Sequence, residues 1–141
     1  MSGFLIDTNV SEISRTNPNA NVIAWSQRQV RGELYLSVIS MGELRKGLTM
    51  MAASIRRKQL EASIEVQVLA WFADRILPVT QLVAERWGSL DGQRQHMGRP
   101  LNVPDGQIAP TALEHGLAVV TRNVRDFQGL GVAIVNPWES L

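Results

Sequence analysis

Cysteine is absent from this chain of 141 residues. Its absence excludes disulfide bonds, iron–sulfur clusters and zinc sites built from thiolates. The sequence also lacks apolar runs of the length that a membrane span needs, and no leader-like segment precedes the first apolar run at Phe4. Together these features predict a soluble protein of the reducing cytoplasm.

Lysine is scarce, and charge of either sign is nearly balanced. Of the 14 basic residues, twelve are arginine and two are lysine, and the net charge is +1. Overall charge therefore does not indicate a nucleic-acid binder. The planar guanidinium suits phosphate contact better than an ammonium group does, although salt bridges would explain the arginines equally well. With 45% hydrophobic residues, we expect residues 1–141 to form a single folded domain.

Short apolar runs alternate with stretches of helical periodicity. Strands are predicted at residues 4–6, 34–36, 76–79, 117–121 and 131–135. Helices are predicted around residues 10–14, 22–26, 38–48, 52–72, 81–97 and 104–115. This alternation predicts an α/β fold in which a short, mostly parallel sheet lies between two layers of helices.

Four of the thirteen acidic residues fall at positions that such a fold brings together. Asp7 follows the first strand, Asp126 lies just past strand 117–121, and Glu43 and Asp105 lie in early turns of helices that follow strands. The carboxyl ends of parallel strands meet at one edge of the sheet, where α/β proteins bind ligands. We therefore expect the four carboxylates to face one crevice.

Carboxylates at close range repel each other unless a cation neutralises them. Hard oxygen ligands without His or Cys select Mg²⁺ or Mn²⁺. Such sites favour phosphodiester hydrolysis, in which one ion activates water and a second stabilises the leaving oxygen. Each acid also has a purely structural explanation: a helix cap for Asp7, a capping box with Ser40 for Glu43, the helix dipole for Asp105, and a turn for Asp126.

Three segments carry a resemblance to a known family. They are LIDTNVSE at residues 5–12, LSVISMGELRKG at residues 36–47 and TRNVRDF at residues 121–127. In this order and spacing they resemble the PIN-domain ribonucleases, and more narrowly the VapC/FitB-type toxins of bacterial toxin–antitoxin pairs. The resemblance implies a PIN fold with an acidic Mg²⁺ or Mn²⁺ site that cuts RNA.

The resemblance also assigns roles to residues of this chain. Asp7, Glu43, Asp105 and Asp126 match the catalytic, metal-binding acids. The matching polar residues that support such sites by hydrogen bonding are Thr8, Asn9 and Thr121, with Asn123 beside them. Relatives commonly form homodimers and bind a small DNA-binding antitoxin whose C-terminal segment lies along the active-site groove.

Five arginines near the predicted edge are candidates for contact with RNA phosphates or with an antitoxin: Arg45, Arg94, Arg99, Arg122 and Arg125. Arg94 is the best of them because it interrupts an apolar stripe along helix 81–97. A salt bridge from Arg94 to Glu43 or Asp91 is the alternative interpretation.

One segment departs from the family pattern. Gly106 and Pro110 follow Asp105, and a proline inside a helix removes a hydrogen bond and clashes with the carbonyl four residues earlier, here that of Gly106. We hypothesise that the two residues form a coupled kink. A displaced Asp105 would leave a catalytically weakened PIN protein that acts mainly by binding its antitoxin. A haloacid-dehalogenase-like phosphatase with Asp7 as nucleophile is a remote alternative, because Asn9 stands where that chemistry needs a second aspartate.

Overall fold

The computed structural model describes residues 2–7 and 19–139. The helix predicted around residues 10–14, and the supporting residues Thr8 and Asn9, lie outside this range. Within the described ranges, no helix combines the length and the apolar character that a bilayer span requires.

Five parallel strands form one sheet. They are β1 (Phe4–Ile6), β2 (Leu34–Ser37), β3 (Ile76–Leu77), β4 (Ala118–Val120) and β5 (Ile134–Val135), in the order β3-β2-β1-β4-β5. The central strand β1 pairs with β2 on one side and with β4 on the other, so the chain order reverses beside β1. Such a reversal opens a crevice at the carboxyl ends of the strands, directly beyond Ile6 and Val120.

Helices connect these strands. They are α1 (Ala20–Gln27), α2 (Val38–Met50), α3 (Ile55–Phe72), α4 (Gln81–His96), α5 (Val103–His115) and α6 (Val124–Phe127), and a short 3₁₀ turn (Arg31–Glu33) precedes β2. The side chains of Asn19, Ser37, Ser54, Thr80 and Asn102 accept hydrogen bonds from the free N–H groups that begin α1 to α5. The left-handed Gly116 ends α5.

The core lies on both faces of the sheet. Neighbouring residues of a strand point to opposite faces, so Leu5 packs with α5 residues such as Ile108, while Ile6 packs with α1 residues such as Trp25. Both faces are covered, as expected for a parallel sheet. The predicted α/β fold with a parallel central sheet is confirmed.

Residues 124–127 form a short helical turn after β4. Two local predictions differ from the structure. Strand β5 spans only Ile134–Val135, and Gly131 at its predicted start has a φ of 79°, outside the extended region. Helix α2 begins after Ser37, and Ser40 is buried inside the helix. The capping box that would have explained Glu43 structurally is therefore wrong.

Candidate active site

Asp7 stands at the carboxyl end of the central strand, with only 5% of its surface exposed. Its N–H donates to the Val120 carbonyl (2.9 Å), which extends the β1–β4 ladder by one residue. The Thr121 hydroxyl donates to Oδ2 of Asp7 (2.8 Å), and the same hydroxyl oxygen accepts a hydrogen bond from the Asn123 N–H (3.0 Å). A polar relay across two strands thus fixes the Asp7 carboxylate at the crevice.

Asp105 lies in the first turn of α5, and Asn102 contacts it twice. The Asn102 side-chain oxygen accepts from the Asp105 N–H (2.8 Å), and the Asn102 amide nitrogen donates to Oδ2 of Asp105 (2.6 Å). Asn102 was not among the site residues predicted from the sequence. The signal was available, since an N-cap asparagine three residues before an aspartate is within reach of both its backbone and its carboxylate.

The ionisation of Asp105 depends on the charges of the other three predicted acids. The pKa of Asp105 is raised from 3.8 to about 6, mainly by burial and also by the negative charges of Asp7, Asp126 and Glu43, while the Asn102 hydrogen bond opposes the increase. The three other predicted acids therefore lie close enough to Asp105 to act on its ionisation.

The acids occupy different environments. Asp7 is buried, Glu43 on α2 and Asp105 are half-buried, and Asp126 on α6 is exposed. Among the described residues, no three His, Asp or Glu side chains stand close enough together to hold one ion. The four acids thus lie near enough to affect one another electrostatically but too far apart to bind one ion together, as expected where like charges oppose closer approach. The donor chemistry, carboxylate oxygen throughout, fits Mg²⁺ or Mn²⁺.

A cavity of about 180 Å³ opens beside Asp105, between the end of α4, the start of α5 and α6. It is lined by Arg94, Arg99, Pro100, Leu101, Asn102, Asp105, Arg125 and Asp126. Two of the predicted acids therefore share a cavity with three arginines. This cavity is called the arginine pocket below.

Arg94 is the buried member of the arginine pocket, with 7% of its surface exposed. Its Nη1 donates a long hydrogen bond to the Gln128 carbonyl (3.5 Å), and its buried Nε–H has no hydrogen-bond partner. No ion pair of Arg94 occurs among the described residues, and Asp91 instead accepts from the Leu101 N–H (3.0 Å). The salt bridge to Glu43 or Asp91 is therefore wrong.

A larger cavity of about 780 Å³ adjoins the arginine pocket and shares Arg125 and Asp126 with it. It is lined by Arg122, Asn123, Val124, Arg125, Asp126, Ile134, Val135, Asn136 and Glu139. The Arg122 guanidinium lies 5.6 Å from the centre of the Trp138 ring. Positive charge and an aromatic ring thus continue along the sheet edge from the acids.

Arg45 does not line either cavity. Its guanidinium lies 3.7 Å from Glu61 and 3.8 Å from Glu65, both on α3. These ion pairs join α2 to α3 at the surface. A contact between Arg45 and RNA or an antitoxin stays a prediction for that separate surface.

Gly106 has a packing role that sequence analysis missed. Helix α5 runs unbroken through Pro110, and the Gly106 N–H donates normally to the Asn102 carbonyl (2.9 Å). A Cβ at position 106 would stand 2.5 Å from Cδ1 and 2.6 Å from Nε1 of Trp87. Glycine is thus needed here because the Trp87 indole of α4 lies directly on the α5 backbone. The bend of the helix axis at Pro110 stays a prediction.

Comparisons with known proteins agree with this geometry. A family model described as the PIN domain matches residues 4–131. The chain is 39% identical over 137 residues to VapC ribonuclease Y4jK of Sinorhizobium fredii, covering 96% of this chain and 98% of the relative. It is 37% identical over 136 residues to Toxin FitB of Neisseria gonorrhoeae, with the same coverage.

Solved structures extend the comparison to the whole fold. The structure of FitAB bound to the IR36 DNA fragment matches with a TM-score of 0.89 and 34% identity, covering 98% of this chain and 97% of that one. FitAcB from Neisseria gonorrhoeae matches with a TM-score of 0.89 and 36% identity, covering 97% and 99%. The parallel sheet, the acids at its edge and these matches together show that the chain belongs to the PIN-domain family.

Proposed function

We propose that this protein is a metal-dependent endoribonuclease and the toxin of a toxin–antitoxin pair. The observation that carries the proposal is the buried Asp7 carboxylate at the carboxyl end of the central strand of a PIN domain, where the Thr121 hydroxyl donates to it. Four carboxylates within range of one another at the strand ends of a PIN domain are suited to Mg²⁺ or Mn²⁺. The relatives named as a ribonuclease and a toxin support the same function.

Asp7 and Asp105, with Glu43 and Asp126 nearby, are the residues proposed to hold the metal, which would supply an activated water and neutralise charge on the phosphate when bound. The protein's own contribution is to fix the donors. The Thr121 hydroxyl donates to one oxygen of Asp7, and the Asn102 amide donates to one oxygen of Asp105, so both carboxylates are oriented by neighbouring side chains. Thr8, Asn9 and Asn123 are proposed to support the same site.

The proposed partners follow from the related complexes. FitAB and several VapBC structures contain a toxin with its antitoxin, and some also contain DNA. We propose that a small DNA-binding antitoxin covers the crevice of this protein and blocks access of RNA. Assembly as a homodimer and location in the cytoplasm, where the RNA substrates are, belong to the same proposal.

Cleavage by the purified protein tests the enzymatic function. Wild-type protein is expected to cut RNA when Mg²⁺ or Mn²⁺ is added and to stop when the metal is chelated. Asp7→Asn and Asp105→Asn should each abolish cleavage and growth inhibition. Asp74→Asn, an exposed acid beyond α3, is the matched control and should cut like wild type.

The same assay separates the proposal from a catalytically weakened, antitoxin-binding protein. Metal-independent or absent cleavage by folded wild-type protein, together with tight binding of the co-expressed antitoxin, would favour the weakened form. Undiminished toxicity of both Asp7→Asn and Asp105→Asn would contradict the assignment of the acids.

A further inference from the structure

The arginine pocket has a charge pattern that the protein alone does not balance. Arg94, Arg99 and Arg125 face the same small space as Asp105 and Asp126. No ion pair joins these arginines to these acids among the described residues. The pocket therefore presents unpaired positive and negative side chains to whatever enters it.

The incomplete hydrogen bonding of the buried Arg94 guanidinium indicates that the arginine pocket binds a ligand. A buried guanidinium normally has its donors satisfied, because an unpaired buried donor is costly. Here the Nε–H is enclosed by protein and has no partner, and the one hydrogen bond of the guanidinium among the described residues is the long bond from Nη1 to the Gln128 carbonyl (3.5 Å). An anion in the pocket would supply acceptors to the terminal Nη groups.

The backbone holds Arg94 and Arg99 side by side at this position. The Arg94 carbonyl, at the end of α4, accepts hydrogen bonds from the N–H groups of Met97 (3.1 Å) and Arg99 (2.8 Å). The Arg94 guanidinium extends to the Gln128–Gly129 turn that follows α6. The chain is thus folded back at the end of α4, and one buried and one exposed arginine line the same cavity as Asp105 and Asp126.

We propose that the arginine pocket is a phosphate subsite that binds a phosphodiester of the RNA beside the acidic centre. The inference rests on the proposed function and adds a substrate-positioning role for Arg94. A cavity of about 180 Å³ suits a phosphate group and its ester oxygens and is too small for several nucleotides. Guanidinium groups bind phosphate oxygens in a bidentate way.

A phosphodiester would suit both the arginines and the acids of the pocket. Its oxygens satisfy the arginines, and an anion at this position also lies next to the acids that are proposed to hold a divalent cation. The RNA chain then has a path onward, because the larger cavity, which is lined by Arg122, shares Arg125 and Asp126 with the pocket, and the Trp138 ring lies next to Arg122. Stacking on aromatic rings and contact with arginines are common in single-strand binding.

Binding of RNA by a variant designed not to cut it tests the proposal. The probe is a fluorescein-labelled single-stranded RNA of about 12 nucleotides, within the usual length of such sites. Its Kd is measured at several salt concentrations with Asp7→Asn and with Asp7→Asn carrying Arg94→Gln, Arg94→Lys or Arg56→Gln. Arg56 on α3 is exposed and lines neither cavity, so its replacement is the matched loss of one positive charge.

Arg94→Gln is expected to raise the Kd about tenfold or more, as for loss of a charged hydrogen bond. It should also reduce the slope of log K against log salt by about 0.7, the value for one phosphate contact in single strands. Arg94→Lys should recover the slope with part of the affinity, and Arg56→Gln should change neither. Circular dichroism checks that each variant is folded.

Three results would overturn the proposal. They are wild-type affinity and slope in folded Arg94→Gln, an equal loss in Arg56→Gln, or a loss of affinity for the antitoxin but not for RNA. If Arg94→Gln does not fold, the exposed residues are replaced instead, as Arg99→Gln and Arg125→Gln. An unchanged slope of log K against log salt in both variants would then overturn the proposal. Because binding is measured without cleavage, failure of the ribonuclease function and failure of this subsite give different results.

Discussion

The hydroxyl of Thr121 donates a hydrogen bond of 2.8 Å to Oδ2 of Asp7, joining residues that are 114 positions apart in the sequence. Both side chains are buried, and each directly follows one of two paired strands, β4 and β1. The fold therefore sets the orientation of the first acid through a residue of the opposite half of the chain.

Thr121→Val is expected to weaken both stability and cleavage. The change leaves the Asp7 oxygen and the Asn123 N–H without their shared partner, a loss of about 1–3 kcal/mol in the free energy of unfolding. Urea unfolding and RNA cleavage measure the two effects. Thr121→Ser keeps the hydroxyl and is the control, so equal losses in both variants would contradict this account.

Gly106→Ala is expected to destabilise the protein, although alanine is a better helix former. The new Cβ would stand 2.5 Å from Cδ1 of Trp87, and overpacking of this kind costs about 1–3 kcal/mol. Gly92→Ala on α4 meets open space and should instead stabilise by up to about 1 kcal/mol. Urea unfolding of both variants gives the comparison, and stabilisation by Gly106→Ala would show that the indole does not occupy this position.

The metal-free protein is expected to lose stability as the pH rises from 3.8 to about 6. In this range folded Asp105 binds a proton that the unfolded chain has released, because burial and the neighbouring acids raise its pKa. Unfolding by urea at a series of pH values, with the metal chelated, measures the slope. Asp105→Asn should remove this contribution and Asp74→Asn should keep it; an unchanged slope in Asp105→Asn would contradict it.

Asn102→Asp is expected to separate the capping role of this residue from its electrostatic role. Aspartate still caps α5, so stability at low pH should change little, but a second carboxylate now replaces the amide donor beside Asp105 and lowers stability where both are ionised. The pKa of Asp105 should therefore rise above that of the wild type, as measured by NMR titration of its carboxyl carbon. Asn102→Ala removes the cap and should cost about 1 kcal/mol of stability. A lower Asp105 pKa in Asn102→Asp would refute the assigned donor.

Features that depend on local pattern were predictable from the sequence. The run at Phe4–Ile6 gives β1, Asn102 and Pro104 begin α5, and Gly116 ends it. The four acids were assigned to one edge from the alternation of strands and helices, and the charges acting on Asp105 agree with that arrangement. Arg94 was singled out because a charged residue interrupted an apolar stripe, and it is buried.

Features that depend on contacts between elements were not predictable. Nothing in the spacing of Trp87 and Gly106 indicates that an indole rests on the α5 backbone, because this contact depends on how α4 and α5 pack. Helix α6 has only four residues, too few for helical periodicity to appear. The pairing of Arg45 with α3 likewise depends on the path of the chain between α2 and α3.

The contact between Trp87 and Gly106 gives the protein a built-in optical probe of its candidate active site. The indole touches the main chain one residue beyond Asp105, so a ligand that draws this carboxylate toward its neighbours also alters the surroundings of the ring. Indole emission depends on those surroundings. Occupancy of the acidic centre is therefore expected to be visible in the intrinsic fluorescence of the unlabelled protein.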